Sequence, residues 1–277
     1  MRRLLSVIIP ASNEEHYVGR CLQALFASAP LPVPAEAIVV ANGCRDRTAD
    51  MARAEKARAT AAGWTLTVLD LVQGGKPGAL NAGDEAASGD LRVYLDADIV
   101  VSPDLMAQVV GSLTGTQPIY VGATPVIPVA KSWVTRAYGR FWSRLPFAKS
   151  VAPGYGLFAV NKAARTRWGK FPAIISDDTF VRLQFQPSER VQVAATYDWP
   201  MIEGFAALVR VRRRQDAGVK ELDARYPGIL DREGKARLTT GHLIRLAVAD
   251  PFGFATYAAV SMAVRSRRGA ATFTRGR

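Results

Sequence analysis

The stretch Leu91-Arg92-Val93-Tyr94-Leu95-Asp96-Ala97-Asp98 is an apolar run that ends in two carboxylates. Val93, Tyr94 and Leu95 are β-branched, aromatic and aliphatic, so the run reads as a short buried strand with Asp96 and Asp98 at its carboxyl end. With one residue between them on an extended chain, the two side chains point the same way. Like charges held that close repel unless a cation or a set of donors lies between them, and a hard divalent ion with oxygen ligands suits the arrangement. In open α/β sheets, ligands bind outside the carboxyl ends of the strands. The competing reading is structural: one aspartate caps a helix starting near Ser102-Pro103-Asp104 and the other is solvated. Taken alone the pair favours the structural reading, because short motifs recur by chance. Its neighbours favour the other.

The chain has 277 residues, 49% hydrophobic and 22% charged, enough to bury a full core. Its two cysteines, Cys21 and Cys44, are too few for a disulfide framework and lack metal-ligand spacing. No charged-then-apolar leader precedes the first strand, so the expected compartment is the reducing cytoplasm. Net charge is +12, and residues 204–277 hold 15 basic against 6 acidic residues. That asymmetry implies an anionic partner at the C-terminal end: nucleic acid, phospholipid or a phosphorylated substrate.

Leu4 to Ile9 reads as a strand buried on both faces, closed by Pro10, after which Ser12-Asn13-Glu14-Glu15 opens a helix that runs through Tyr17, Cys21, Leu22 and Leu25. A proline-rich loop leads to a second strand, Ala37 to Val40, which implies a right-handed parallel unit. Next come the turn Ala41-Asn42-Gly43-Cys44-Arg45-Asp46-Arg47-Thr48, an Ala-rich helix from Ala49 to Ala62, and a third strand, Leu66 to Leu71. That strand ends in Gln73-Gly74-Gly75-Lys76-Pro77-Gly78-Ala79-Leu80-Asn81, where glycines let backbone amides approach a ligand and Lys76 can meet a phosphate. A flexible loop with a solvated lysine is the alternative.

Four segments in this order, residues 8–15 (IIPASNEE), 39–48 (VVANGCRDRT), 75–83 (GKPGALNAG) and 95–98 (LDAD), strongly resemble family 2 glycosyltransferases of the GT-A fold. The resemblance implies an α/β architecture, a mostly parallel Rossmann-like sheet flanked by helices, with residues 1–203 as the catalytic domain and 204–277 as a basic helical C-terminal region. It also implies a nucleotide-sugar donor, Mg²⁺ or Mn²⁺, and inversion at the anomeric carbon. By position, Pro10, Ser12 and Glu14 line the base and ribose pocket, Asn42, Lys76 and Asn81 bind the nucleotide, Asp96 holds the ribose and Asp98 is the metal ligand. The resemblance makes uridine the default base, although this chain departs from many relatives in having Ala41 where they have an aspartate that helps read the base.

Further along, Gly154, Tyr155 and Gly156 stand where family members shape the acceptor pocket. Ser176-Asp177-Asp178 begins a helix that Ser176 can cap. It resembles the family's second acidic motif, which assigns Asp177 to the acceptor pocket and Asp178 to the catalytic base. The arginine run 210–214 sits where relatives place a Gln/Arg-rich element near the leaving pyrophosphate, and Arg213 is its expected member. The Gln-x-x-Arg-Trp of processive synthases is absent, which argues for transfer of a single sugar. The acceptor expected from the resemblance is a hydroxyl compound, lipid-linked or a cell-envelope glycan.

Lys131 to Lys149 holds five basic residues and no acid, with Arg136, Arg140 and Arg144 four apart and aromatic residues between them. Such a helix suits a bilayer interface or a lipid-phosphate acceptor, or else packs on the core with a solvated basic face. Leu243 to Val264 is apolar but broken by Arg245, Asp250 and Pro251 and followed by Arg265, Arg267 and Arg268. It suits the interface better than a span, which needs about 20 mainly apolar residues. An anionic cytoplasmic membrane face is therefore an expected partner, and nucleic acid is not. Two rival functions are a sugar-phosphate nucleotidyltransferase and a non-catalytic basic module binding membrane or nucleic acid. The loop after the first strand, residues 10–15, is neither glycine-rich nor basic, which argues against the first; Asp96, Asp98 and Asp178 together argue against the second.

Overall fold

The computed structural model describes residues 3–234, 236 and 238–266. Arg267 and Arg268 lie outside the described residues. Eight strands form one sheet: β1 (Leu5–Ala11), β2 (Ala35–Asn42), β3 (Trp64–Leu71), β4 (Leu91–Leu95), β5 (Val100–Val101), β6 (Tyr120–Val126), β7 (Leu157–Asn161) and β8 (Arg190–Asp198). Their order is β3-β2-β1-β4-β7-β6-β8-β5. The first four are parallel, with Ile8 beside Ile38 and Tyr94. Beyond them the sheet is mixed: β7 runs antiparallel to β4 and β6, while β6 and β8 are parallel.

Helices α1 (Val18–Phe26), α2 (Thr48–Ala54), α3 (Lys56–Ala61), α4 (Lys76–Ala86) and α5 (Leu105–Ser112) belong to the first half. α6 (Trp133–Trp142), α7 (Lys162–Arg165), α8 (Asp177–Arg182), α9 (Phe205–Arg225), α10 (Thr240–Ala249) and α11 (Pro251–Ser266) follow. Alternation along β1 divides the core between the two faces. Leu5, Val7 and Ile9 pack with Leu22 and Leu25 of α1 and with Met106 and Val109 of α5. On the opposite face Ile8 packs with Leu80 of α4, Tyr94, Phe158, and Phe180 and Val181 of α8.

Three local departures from the sequence reading bear on the site. α1 starts at Val18 rather than near Ser12. Asn13 takes φ 57°, and the Ser12 hydroxyl donates to the Asn42 carbonyl (2.8 Å) instead of capping the helix, so residues 12–17 are a loop tied to the end of β2. Lys76 is the first residue of α4, directly after Gly75 at φ 141°, with Pro77 in the first turn, where its missing N–H costs no helical bond. The Ala-rich helix is two, broken at Glu55.

The C-terminal helices are packed rather than bare. Tyr138 of α6 lies against Tyr257 of α11 (5.7 Å between centroids), and Phe141 against Phe254 and Tyr257. Leu208 and Val209 of α9 and Val260 of α11 complete that cluster. Asp250 breaks α10 from α11: its carboxylate accepts from Gly253 N–H (2.9 Å) as a helix N-cap, with Pro251 next to it. Arg140 grips the same carboxylate through two bonds of 2.7 and 2.8 Å. Among the described residues no helix is long and apolar enough to cross a membrane.

Candidate active site

The carboxyl ends of β1, β2, β3 and β4 converge on one edge of the sheet, and three loops there are fastened to each other by Asn42. This residue is 2% exposed. Its amide nitrogen donates to the carbonyls of Ala11 (2.9 Å) and Val40 (3.2 Å), and its amide oxygen accepts from Gly75 N–H (3.0 Å). Asn42 thus serves as a clamp under the site, with its side-chain bonds made inside the protein. Glu14 is placed by its N–H donating to Thr48 Oγ1 (2.7 Å).

After Leu95 the chain does not stay extended. Ile99 N–H donates to the Asp96 carbonyl (3.1 Å), closing a turn that buries Ala97 and Ile99 and leaves Asp96 and Asp98 half-exposed. The pair therefore sits on a turn rather than on one strand face; burial of two apolar side chains in the core drives the bend. Asp96 N–H donates to the Gly156 carbonyl (2.8 Å), which brings the 154–156 loop alongside. Gly156 has φ 70°, and a Cβ there would lie 2.9 Å from Ile99 Cδ1 and 3.3 Å from Asp96 Oδ2, so only glycine fits without displacement.

Lys76 is the central cation. Its Nζ is 2.8 Å from Asp96 Oδ1 and 3.3 Å from Asp177 Oδ2, so it joins the first acidic pair to the second. Burial alone would lower its pKa, but the carboxylates of Asp177, Asp96 and Asp178 outweigh that and hold the ammonium protonated. Asp177 is 5% exposed, and burial pushes its pKa up to about 6, against the opposing pull of Lys76. Asp178 is half-buried, with Oδ1 accepting from Thr179 N–H (2.6 Å). Ser176 occupies the N-cap position of α8 but makes no capping bond with its side chain. Pro10, Lys76, Asp96, Gly154, Gly156, Asp177 and Asp178 line one small cleft.

Not every expected residue reaches that cleft. Arg213 donates instead to the carbonyls of Ala263 (2.6 Å) and Val264 (3.4 Å), tying α9 to the last turns of α11. Asn81 forms a two-way bond with the backbone of Phe171, 2.7 and 3.1 Å, and so fixes the segment leading to α8. Several positioning residues escape a reading by motif. Arg182, 2% exposed, donates to the Ala152 carbonyl (3.2 Å), and Tyr197 donates its hydroxyl to the Tyr155 carbonyl (2.8 Å). Both hold the loop before β7, and neither stands in a spacing that would mark it.

A divalent ion fits the donor set as a shared ligand. Among the described residues no three His, Cys, Asp or Glu side chains converge to cage an ion. Asp98 does offer a half-exposed carboxylate, and three carboxylates gather near Cys21, whose buried thiol is pushed up first by burial, then by Asp98, Asp96 and Glu14. One or two carboxylates completed by substrate phosphates is the usual setting for Mg²⁺.

Comparisons with known proteins bear on the family and the fold. The sequence matches the family described as Glycosyl transferase family 2 over residues 6–165. It is 31% identical over 118 residues to glycosyltransferase AglE of Haloferax volcanii, covering 43% of this chain and 38% of that protein. It is 33% identical over 108 residues to the undecaprenyl-phosphate 4-deoxy-4-formamido-L-arabinose transferase of Pseudomonas aeruginosa, covering 39% and 31%. These matches thus span less than two fifths of the curated relatives. Over 98% of its length the chain follows the mannosyltransferase PcManGT of Pyrobaculum calidifontis, solved with GDP-Man and Mn²⁺, at TM-score 0.59, 21% identity and 77% coverage of that chain. The fold is that of GT-A glycosyltransferases, and with the family match over more than half its residues, the chain belongs to glycosyl transferase family 2.

Proposed function

We propose that the protein is an inverting transferase that moves one sugar from a nucleoside diphosphate to an acceptor hydroxyl, and that the cleft around Lys76 is where it does so. The observation that carries this reading is the bridge from Asp96 through Lys76 to Asp177, which sets Asp178 beside a cleft at the carboxyl ends of the parallel strands. Pro10, Ser12 and Glu14 would face the nucleoside and Asp96 its ribose. Asp98 would hold Mg²⁺ or Mn²⁺, which neutralises charge on the diphosphate when bound.

In the transfer, the acceptor oxygen bonds to the anomeric carbon on the face opposite the diphosphate. The carbon–oxygen bond to phosphate breaks, and its electron pair leaves with the nucleoside diphosphate. The hydroxyl proton passes to Asp178, whose half-exposed carboxylate has the access a base needs, whereas Asp177 is enclosed and engaged by Lys76. Asp177 thus acts as the buried anchor of the pair.

The acceptor is read as lipid-linked, an inference supported by the P. aeruginosa relative, whose name specifies an undecaprenyl-phosphate substrate. Attachment to an anionic membrane surface goes with that reading, with α10 and α11 as the contact, because Ile244, Val248, Phe252 and Met262 are all more than half exposed there. α6 is the weaker part of that expectation, since Tyr138 and Phe141 are buried and only Trp133 of its rings is largely exposed.

The test is donor turnover by the purified chain. UDP- and GDP-sugars are incubated with Mn²⁺, released nucleoside diphosphate is measured, and the anomeric configuration of the product is read by proton NMR. Metal-stimulated release with an inverted product is expected. No release from any nucleotide sugar, or a retained configuration, would overturn the reading.

A further inference from the structure

Between α6 and strands β6 and β8 lies a groove with a volume of about 620 Å³. That is within the usual range for a small-molecule site. It is separate from the Lys76 cleft, yet one residue joins them. Gly154 and Gly156 line the cleft, and the ring of Tyr155 between them stacks on Trp199 (4.8 Å between centroids, 19°) and meets Trp142 (5.7 Å). Trp142 and Trp199 both line the groove.

The chemistry of the groove is uneven in a telling way. Ile127, Pro128 and Val129 extend its apolar wall. Its neutral polar side chains are mostly engaged within the protein: Gln192 accepts from Ala152 N–H and donates to Thr124, whose hydroxyl donates to the Val193 carbonyl, and Ser143 donates to the Arg140 carbonyl. A bare glycan needs many directed hydrogen bonds, and these walls offer few. The charged lining residues are Arg136, Arg140 and Lys149, all basic. Arg140 is neutralised by Asp250, and one guanidinium nitrogen of Arg136 donates to the carbonyls of Ala130 (2.9 Å) and Lys131 (2.8 Å), but among the described residues no carboxylate pairs with Arg136 or Lys149, and both are exposed.

We infer that this groove binds the carrier portion of the acceptor, an apolar chain ending in a phosphate-type anion, while a sugar hydroxyl of the same molecule reaches Asp178 past Tyr155. The aromatic and proline surfaces take the chain, and Lys149 and Arg136 take the anion. The inference rests on the glycosyltransfer reading for the direction of the hydroxyl, but groove occupancy can be measured without turnover.

Calorimetric titration of the full chain with farnesyl phosphate, farnesol and inorganic phosphate, each below any aggregation threshold, tests it. Farnesyl phosphate is expected to bind at least tenfold more tightly than either fragment. Lys149→Glu, an exposed change that spares the fold, should lower that affinity at least fivefold, and Trp142→Ala together with Lys149→Glu at least tenfold. Affinity for UDP or GDP with Mn²⁺ should stay at the wild-type value in both variants. Equal binding of farnesol and farnesyl phosphate, no effect of Lys149→Glu, or a groove that binds an acidic oligosaccharide in preference to farnesyl phosphate would overturn the inference. If instead the wild type binds farnesyl phosphate as expected but no nucleotide, the groove stands and the glycosyltransfer reading fails.

Discussion

Lys76 and Asp177 form an ion pair of 3.3 Å in which the acid is nearly enclosed and the amine still reaches Asp96. The pair encloses one member of the second acidic motif in the wall of the cleft. It also makes the site sensitive to pH through Asp177, whose pKa burial raises to about 6.

The sign follows from proton counting. Between the ordinary aspartate value near 4 and about 6, the folded protein holds a proton on Asp177 that the unfolded chain has released, so stability falls as pH rises through that window. The contribution is fully present below pH 4 and lost above 6. Asp177→Asn should remove this component, so the variant gains on the wild type between pH 4 and pH 7.5. Urea midpoints of both proteins at the two pH values check it; parallel shifts would show that Asp177 does not titrate there.

Asp178→Asn should keep donor binding and lower turnover by roughly a hundred- to ten-thousand-fold, the range for a lost general base. Single-turnover kinetics beside nucleotide titration separates the two effects. A crippled Asp177→Asn beside an unaffected Asp178→Asn would reverse the assignment.

Nucleoside-diphosphate binding should require a divalent ion and Asp98, because a diphosphate beside Asp96, Asp98 and Glu14 otherwise meets mainly repulsion. Titration of UDP and of GDP, with Mn²⁺ and with chelator, should show a loss of at least tenfold on chelation. Asp98→Asn should reproduce that loss with the metal present. Equal affinity under all conditions contradicts the metal assignment.

Gly156→Ala should destabilise the protein by about 1–2 kcal/mol, the cost of a left-handed backbone for a residue with a Cβ. It should also weaken nucleotide binding, because the new methyl crowds Ile99 and Asp96. Thermal melting and UDP or GDP titration measure the two consequences. Unchanged melting would mean that the loop relaxes around the added methyl.

Most of the first half of the fold was legible because strands such as 4–9 and 91–95 are continuous apolar runs ending in polar turns, a pattern that local chemistry dictates. The start of α1 was not, since Ser12 makes its bond to Asn42, thirty residues away, instead of to its own helix. Of the residues singled out in the sequence, Asp96, Lys76, Asp177 and Asp178 meet in one cleft, the first at the end of β4, the second at the start of α4 and the last two at the start of α8. Arg213 stands outside the cleft, because only tertiary packing decides which arginine on α9 faces which neighbour: Arg212 donates to the Tyr138 hydroxyl (2.9 Å), while Arg213 turns to α11. The aromatic contact of Tyr155 with Trp142 and Trp199 joins three distant segments, and no spacing in the sequence announces it.

Membrane attachment should run through α10 and α11. Val248 and Phe252 are 79% and 80% exposed, on either side of the Asp250 corner that Arg140 fixes, and exposed Arg245 and Arg265 flank the apolar face. Insertion of the apolar side chains supplies burial, and each arginine near an anionic surface adds on the order of 1 kcal/mol. The protein should therefore sediment with phosphatidylglycerol vesicles at low salt, much less with phosphatidylcholine, and be released as salt rises, since screening shortens the reach of its charges. Val248→Glu with Phe252→Glu should abolish sedimentation without lowering the melting temperature, because neither side chain is packed in the core. Binding that survives both high salt and the double variant would place the contact elsewhere, and no binding to anionic vesicles at low salt would leave the C-terminal charge to a soluble anionic partner.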